Sequence, residues 1–227
     1  MISLSNEIFV VPFDFNTMKD VSKKSDLLEL KPCIAHKDKT KAALIVKETR
    51  WSADDKLVAW LYLGIDANNP SLQSNQVGIL DITGCNPDTL SISHYFPGTQ
   101  FIPVGFQDHT IPDMDWDGDN LFVFNTNRRN NGWGELYVYD WVIHKPYHIN
   151  PINNGACCYR DARWSADGTY LFFAFQDFGL GANAPTLFYY VPYGEIGTGS
   201  SFTPIQMPEG FFKNPKEAPQ PALHPSQ

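Results

Sequence analysis

Asp113-Met114-Asp115-Trp116-Asp117-Gly118 carries the alternating carboxylates and the glycine that open a calcium loop. Hard oxygen ligands wrap the ion in such a loop, and glycine permits the sharp turn. The downstream ligand positions hold Leu121 and Phe124, so the oxygen set is incomplete. Asp113, Asp115 and Asp117 are therefore candidate ligands for calcium alone, and no other cofactor is expected. Cys33, Cys85, Cys157 and Cys158 show no C-x-x-C spacing, and no histidine is placed to complete a zinc set. The adjacent Cys157 and Cys158 can form a vicinal disulfide or bridge to Cys33 or Cys85 in an oxidising compartment. Four reduced, partly buried thiols are equally open. No G-x-S-x-G is present, and the His144 to His148 stretch has a helix-breaking Pro146 and no Glu where H-E-x-x-H requires one. Gly179-Leu180-Gly181 is too short for a nucleotide loop and reads as a hairpin connection. No catalytic residue is assigned.

The elements that must position these residues are strands. Apolar runs rich in β-branched and aromatic types cover Ile8 to Phe13, Ala43 to Val46, Leu57 to Leu63, Val77 to Ile82, Leu121 to Phe124, Leu136 to Tyr139, Leu171 to Phe175 and Leu187 to Val191. These are strand lengths, punctuated by turn formers such as Asp117-Gly118, Asn131-Gly132 and Asp167-Gly168. Asn16 to Leu30 has no clean apolar stripe and predicts one short helical turn at most. The fold class is all-β.

The chain also repeats itself. Glu48-Thr49-Arg50-Trp51-Ser52-Ala53-Asp54-Asp55 and Asp161-Ala162-Arg163-Trp164-Ser165-Ala166-Asp167-Gly168 are one phrase, each followed by a strand, a polar loop and a second strand. Asp113 to Gly118 is a shortened third copy that has lost two turn residues. Glu135-Leu136-Tyr137-Val138-Tyr139-Asp140 typifies the second strand, and Asn6 to Asp14 fits the same slot. A last partial copy at Gln220 to Ser226 puts Leu223 in the tryptophan position. Such units suit four-stranded antiparallel blades, with tryptophan filling the wedge between neighbours. The phrase resembles the TolB-type β-propeller repeat, a WD-repeat-like family with the pattern W-S-P-D-G, a strand, then E-I-Y-V-x-D. Ala53 and Ala166 depart from its proline and Asp55 from its glycine.

The resemblance implies a β-propeller of about three complete blades with partial terminal ones, in a single domain 1–227. The blades fall near 1–42 (partial), 43–96, 97–155 and 156–207, with a terminal strand at 218–227. Two arrangements are open: the C-terminal part of a longer propeller, which is preferred, or a four-bladed ring closed by the tail against the Ile8 to Asp14 sheet. The resemblance also implies an extracytoplasmic, bacterial-envelope setting. It carries no catalytic residue, because the repeat describes a scaffold.

Glu48, Asp113 and Asp161 lie three positions before the tryptophans, with Arg50 and Arg163 one position before. Alternate strand residues share a face, so these charges either ring a channel mouth or, the favoured reading, pair within and between blades. The connections Gly64 to Asn75, Asn125 to Gly134 and Gln176 to Pro185 emerge on one face, and long loops on a rigid scaffold are the usual place for recognition. Arg128, Arg129, Trp133, Tyr159 and Arg160 are the candidate ligand-binding residues there, since Arg, Trp and Tyr dominate interface hot spots.

The net charge of −8, from 17 Lys and Arg against 25 Asp and Glu, argues against nucleic acid or an anionic membrane as partner. With 43% hydrophobic residues over 227, the chain can build a core. Its longest apolar run falls far short of the roughly 18 residues of a membrane helix. Met1 to Glu7 lacks the basic start and apolar stretch of a signal peptide, so a soluble chain without an address is expected. The expected function is noncatalytic binding of a protein, a peptide or an envelope polymer. The alternative is the propeller domain of a serine-peptidase-type hydrolase whose catalytic part is absent from this chain.

Overall fold

The computed structural model describes residues 1–11, 24–29, 32–86, 91–92, 111–126, 132–152, 157–181 and 184–209. The chain divides into two compact units, Met1–Ile102 and Pro103–Gln227. It is all-β, with antiparallel sheets of three and four strands.

In the first unit β1 (Ile2–Leu4), β2 (Glu7–Val10) and β3 (Cys33–Lys37) form a meander, with the six-residue α1 (Lys24–Glu29) between β2 and β3. A second meander contains β4 (Lys41–Trp51), β5 (Leu57–Asp66) and β6 (Gln73–Asp81), and β7 (Cys85–Asn86) pairs with β8 (Ser91–Ile92). Strand β5 reads as an unbroken apolar run because both its faces are covered. Val58, Trp60 and Tyr62 join Ile8, Ala35, Leu44 and Leu80 in one cluster, while Ala59 and Leu61 are buried on the other side. Full burial of each large apolar side chain contributes about 1.5–3 kcal/mol.

The second unit holds β9 (Met114–Trp116), β10 (Leu121–Asn125), β11 (Leu136–Asp140) and β12 (Lys145–Ile149) in a four-stranded meander. Beside it, β13 (Tyr159–Trp164), β14 (Tyr170–Phe175) and β15 (Leu187–Pro192) form a three-stranded one. Leu171, Phe173 and Phe175 of β14 pack with Val123, Leu136 and Val138 of the neighbouring sheet. Phe172 and Ala174 turn the other way, to Trp133, Cys158 and Phe188. On the outer side of β15 the Ile205 N–H donates to Phe188 O at 2.7 Å. That bond is the described counterpart of the fourth strand expected there.

The strands predicted from apolar runs are present, with Pro12 and Phe13 of the first run outside the described residues, and the helical segment is confined to α1 within its described part. The predicted loop Gly64 to Asn75 is shorter than expected, because β5 runs on to Asp66 and β6 starts at Gln73. The shortened repeat needs a second correction. Trp51 faces Val58 and Trp164 faces Leu171, whereas Trp116 faces Phe122, so its turn is one residue shorter rather than two. The wedge role holds for Trp164, 5% exposed and clustered with Val123, Leu136 and Val138 of the neighbouring sheet. Trp116, also 5% exposed, stacks at 5.4 Å on Phe122, its cross-strand partner in the same sheet. Trp51 is 45% exposed. The strand position aims the ring, but burial depends on what packs against it. The repeat at Gln220 to Ser226 lies outside the described residues. Among the described residues no helix is long and apolar enough to cross a membrane.

Candidate functional site

The three aspartates of the calcium-like motif are divided among different partners. Asp113, just before β9, and Asp115 within it are alternate residues and point to the same side, where β13 lies. Asp113 Oδ2 takes Arg163 Nη1 at 2.5 Å, and Arg163 Nη1 also donates to Ala162 O at 2.8 Å. Asp115 Oδ2 accepts the buried Trp164 N–H at 2.8 Å. Asp117 Oδ1 accepts the N–H groups of Asp119 and Leu121 at 2.9 and 3.0 Å, closing its own turn. Burial pushes the Asp117 carboxyl up from its ordinary value, against those two N–H donors. Among the described residues no group of three or more His, Cys, Asp or Glu side chains is placed to hold a metal. The recurring acid and arginine pattern is thus used for pairing. Arg50 pairs Glu48 within one strand at 2.8 Å, and Arg163 pairs Asp113 between two sheets.

A second cluster forms where the β10–β11 and β14–β15 connections meet the start of β13. Gly134 and Tyr159 exchange backbone bonds, Gly134 N–H to Tyr159 O at 3.1 Å and Tyr159 N–H to Gly134 O at 2.8 Å. Position 134 has to be glycine, because a Cβ there would lie 1.6 Å from Thr126 O. This bridge pins Trp133, and Asn125 Nδ2 donates to Gly132 O at 2.6 Å beside it. Trp133 is 5% exposed, edge-on to Phe178 at 6.2 Å, with Arg160 Cζ 5.9 Å from its ring centroid. Arg160 Nε also pairs with Asp161 Oδ2 at 2.8 Å, and the Arg160 side chain remains 26% exposed. Asp161 adopts φ 53° at a register shift in β13, a bulge that re-aims the strand end.

Cys157 and Cys158 are joined as a vicinal disulfide, Cys33 is also disulfide-bonded, and none of the described cysteines is free. The Cys158 backbone exchanges bonds with Gln176, at 2.7 and 3.0 Å, which places the disulfide against the β14–β15 connection. Of the five residues named from sequence, Trp133 and Arg160 meet here. Tyr159 is fully buried, its hydroxyl donating to Ile152 O at 3.0 Å and accepting from Ile152 N at 3.2 Å. Burial pushes that hydroxyl well above the ordinary tyrosine range. Its place is a core one, fixed by the neighbouring sheet. Arg128 and Arg129 lie outside the described residues.

Sequence reasoning missed a groove in the same unit. It runs between the end of β12 and the segment 193–202, and holds two adjoining cavities of about 500 and 490 Å³. Asn150 and Gly197 border both, and Asn150 Oδ1 is buried without a hydrogen-bond partner. The only trace in the sequence is Gly197-Thr198-Gly199-Ser200-Ser201, which reads as an ordinary loop.

No protein-family model matches the chain, and no curated protein matches its sequence. Among solved structures it is similar to the β-propeller domain of the Trilobed protease from Pyrococcus furiosus, with 14% identity and a TM-score of 0.42 over 72% of this chain and 43% of that one. It is similar to TolB from Acinetobacter baumannii, with 15% identity and a TM-score of 0.44 over 78% of this chain and 35% of that one. It is also similar to a chain of the mitotic checkpoint complex, with 12% identity and a TM-score of 0.41 over 84% and 43%. The likeness is one of fold, to β-propellers. The chain spans less than half the length of each of these structures.

Proposed function

We propose that the chain is a noncatalytic binding module that holds a protein or peptide at the end of the β13–β15 sheet, with an envelope polymer as the wider partner class. The observation that carries this reading is the Arg160 guanidinium over the Trp133 ring, 5.9 Å from its centroid, beside the Cys157–Cys158 disulfide. Two separate connections and a strand bulge converge to build it. A planar cation held on an aromatic face loses little freedom on binding. The Arg160 charge is shared with Asp161, so what the site offers a partner is a planar donor fork beside an aromatic ring. The disulfides support an oxidising, extracytoplasmic setting.

The test is selection from a displayed random-peptide library against the immobilised 227-residue chain. Enrichment of peptides that share one sequence motif is expected. Replacing Arg160→Lys keeps the charge beside Asp161 but removes the planar fork. Combined with Arg128→Ala and Arg129→Ala, it should weaken capture about tenfold or more, with an unchanged melt. Undiminished capture by this triple variant rejects the choice of face. No cofactor belongs to the proposal. EDTA should leave both capture and melting temperature unchanged, because Asp113, Asp115 and Asp117 are each engaged by protein donors. A rise in melting temperature with added calcium would instead assign them to a metal.

A further inference from the structure

We infer that the Cys157–Cys158 disulfide is a redox switch for the Arg160 and Trp133 surface, opened by a dithiol reductant and closed again by reoxidation. This regulation rests on the binding role proposed for that surface. A bond between sequence neighbours closes the shortest loop a chain can have, so the chain-entropy gain that makes a disulfide a staple is small here. What the bond fixes is local. Cys158 is buried with Trp133, Phe172, Ala174 and Phe188, and the half-buried Cys157 and Phe178 pack against that cluster.

Burial sets the order of the steps. Cys157 is the half-buried member of the pair and Cys158 the closed one, so an incoming thiolate attacks Cys157. The Cys157–Cys158 bond breaks, a mixed disulfide forms at Cys157, and Cys158 leaves as a thiolate that takes up a proton. The second thiol of the reductant then displaces Cys157, which is protonated in turn. The reductant departs as its cyclic disulfide, having supplied two electrons and two protons. Two bonded sulfurs have become two S–H groups that must stand at van der Waals separation. The main chain around them is held: the Phe178 N–H donates to Cys157 O at 3.2 Å, Cys158 and Gln176 exchange bonds at 2.7 and 3.0 Å, and Tyr159 exchanges bonds with Gly134. The sulfurs therefore separate by side-chain rotation inside a close-packed cluster. The ring in their way is Trp133, edge-on to Phe178 at 6.2 Å, with Arg160 Cζ 5.9 Å from its centroid. Displacing that ring withdraws the face on which the guanidinium lies.

The test compares the 227-residue chain with and without millimolar dithiothreitol in native buffer. After acid quench, removal of the reductant and alkylation in denaturant, the peptide carrying Cys157 and Cys158 should gain two alkyl groups by mass spectrometry. The indole N–H cross-peak of Trp133, assigned with Trp133→Phe, should move in the nitrogen-correlated NMR spectrum, and oxidised glutathione should restore it. The double variant Cys157→Ser with Cys158→Ser should show the moved cross-peak without reductant and no further change with it, which separates the effect from reduction at Cys33. If that variant does not fold, the time course decides: the cross-peak should move at the rate at which Cys157 and Cys158, rather than Cys33, become open to alkylation. A library peptide selected on the oxidised chain should lose about tenfold or more of its affinity on reduction. A pair that resists dithiothreitol overturns the inference, and so does a Trp133 cross-peak that stays in place once both cysteines are reduced. Undiminished capture by the reduced chain overturns the switch and leaves the binding role standing. Failure to capture any peptide in either state removes the binding role, and the Trp133 cross-peak then decides the switch alone.

Discussion

Ser52 and Ser165 show how the repeated phrase works atom by atom. Each hydroxyl accepts the N–H five residues on, from Leu57 and Tyr170, and donates to the aspartate two residues on, at 2.7 Å to Asp54 and 2.6 Å to Asp167. Each aspartate in turn accepts the N–H two residues further, from Lys56 and Thr169. In the shortened copy Asp117 takes the place of the serine and closes the turn alone. These donors hold the Asp54 carboxyl down to about 2 from its ordinary 3.8, led by the Ser52 hydroxyl, and lower Asp167 through Ser165. A carboxyl depressed by folding contributes stability that is full above its unfolded value near 4 and is lost as pH falls through the folded one. Carbon-detected NMR titration should therefore place the Asp54 midpoint near 2, Asp167 below 3.8, and Asp117 above it. Gly118 and Gly168 fill the left-handed position of this turn at φ 88° and 68°, and Asp55 occupies it at φ 57°. Urea melts should show Gly168→Ala losing roughly 1 kcal/mol and Asp55→Gly gaining up to about as much. Equal melts for all three proteins would mean that the turn does not tax its side chain.

At the scale of elements, the seam between β9 and β13 is made by the Asp113–Arg163 ion pair and by the Asp115 carboxylate accepting from the backbone of the next strand. Removing the acceptor with Asp115→Ala leaves the Trp164 backbone N–H buried and unpaired, at a cost of about 1–3 kcal/mol in a denaturant melt. Gly134→Ala should cost about 3 kcal/mol or more, because the new Cβ collides with backbone and the bridge to Tyr159 must open. A melt within error of the parent for either variant would show that these contacts do not hold the seam. Central strands such as β5 and β14 were legible as apolar runs because both faces are covered. Strand β12 was not, since Lys145 to His148 are all exposed and an edge needs no apolar alternation. The bulges in β4 and β13, next to Glu48 and Asp161, follow from pairing geometry and leave no compositional mark.

At the scale of the molecule, each unit carries its own apolar cluster, around Trp60 in the first and around Phe173 in the second. The cysteine pairing is a property of the whole chain and its compartment. Alkylation of the denatured protein without reductant should leave Cys33, Cys157 and Cys158 unmodified by mass spectrometry, and prior reduction should label all three. Labelling before reduction would refute the oxidised state. The repeat, the all-β class and the turn chemistry were determined by the sequence itself, because they rest on local rules: strand periodicity, left-handed turn positions and side-chain-to-backbone bonds within a few residues. Only the tertiary structure decided that Tyr159 is core while Arg160 reaches the surface, that Cys157 bonds its neighbour, and that Asn150 borders a groove. Each of these depends on which distant strand packs alongside, and burial, pairing and open space are set by that packing rather than by the residues themselves.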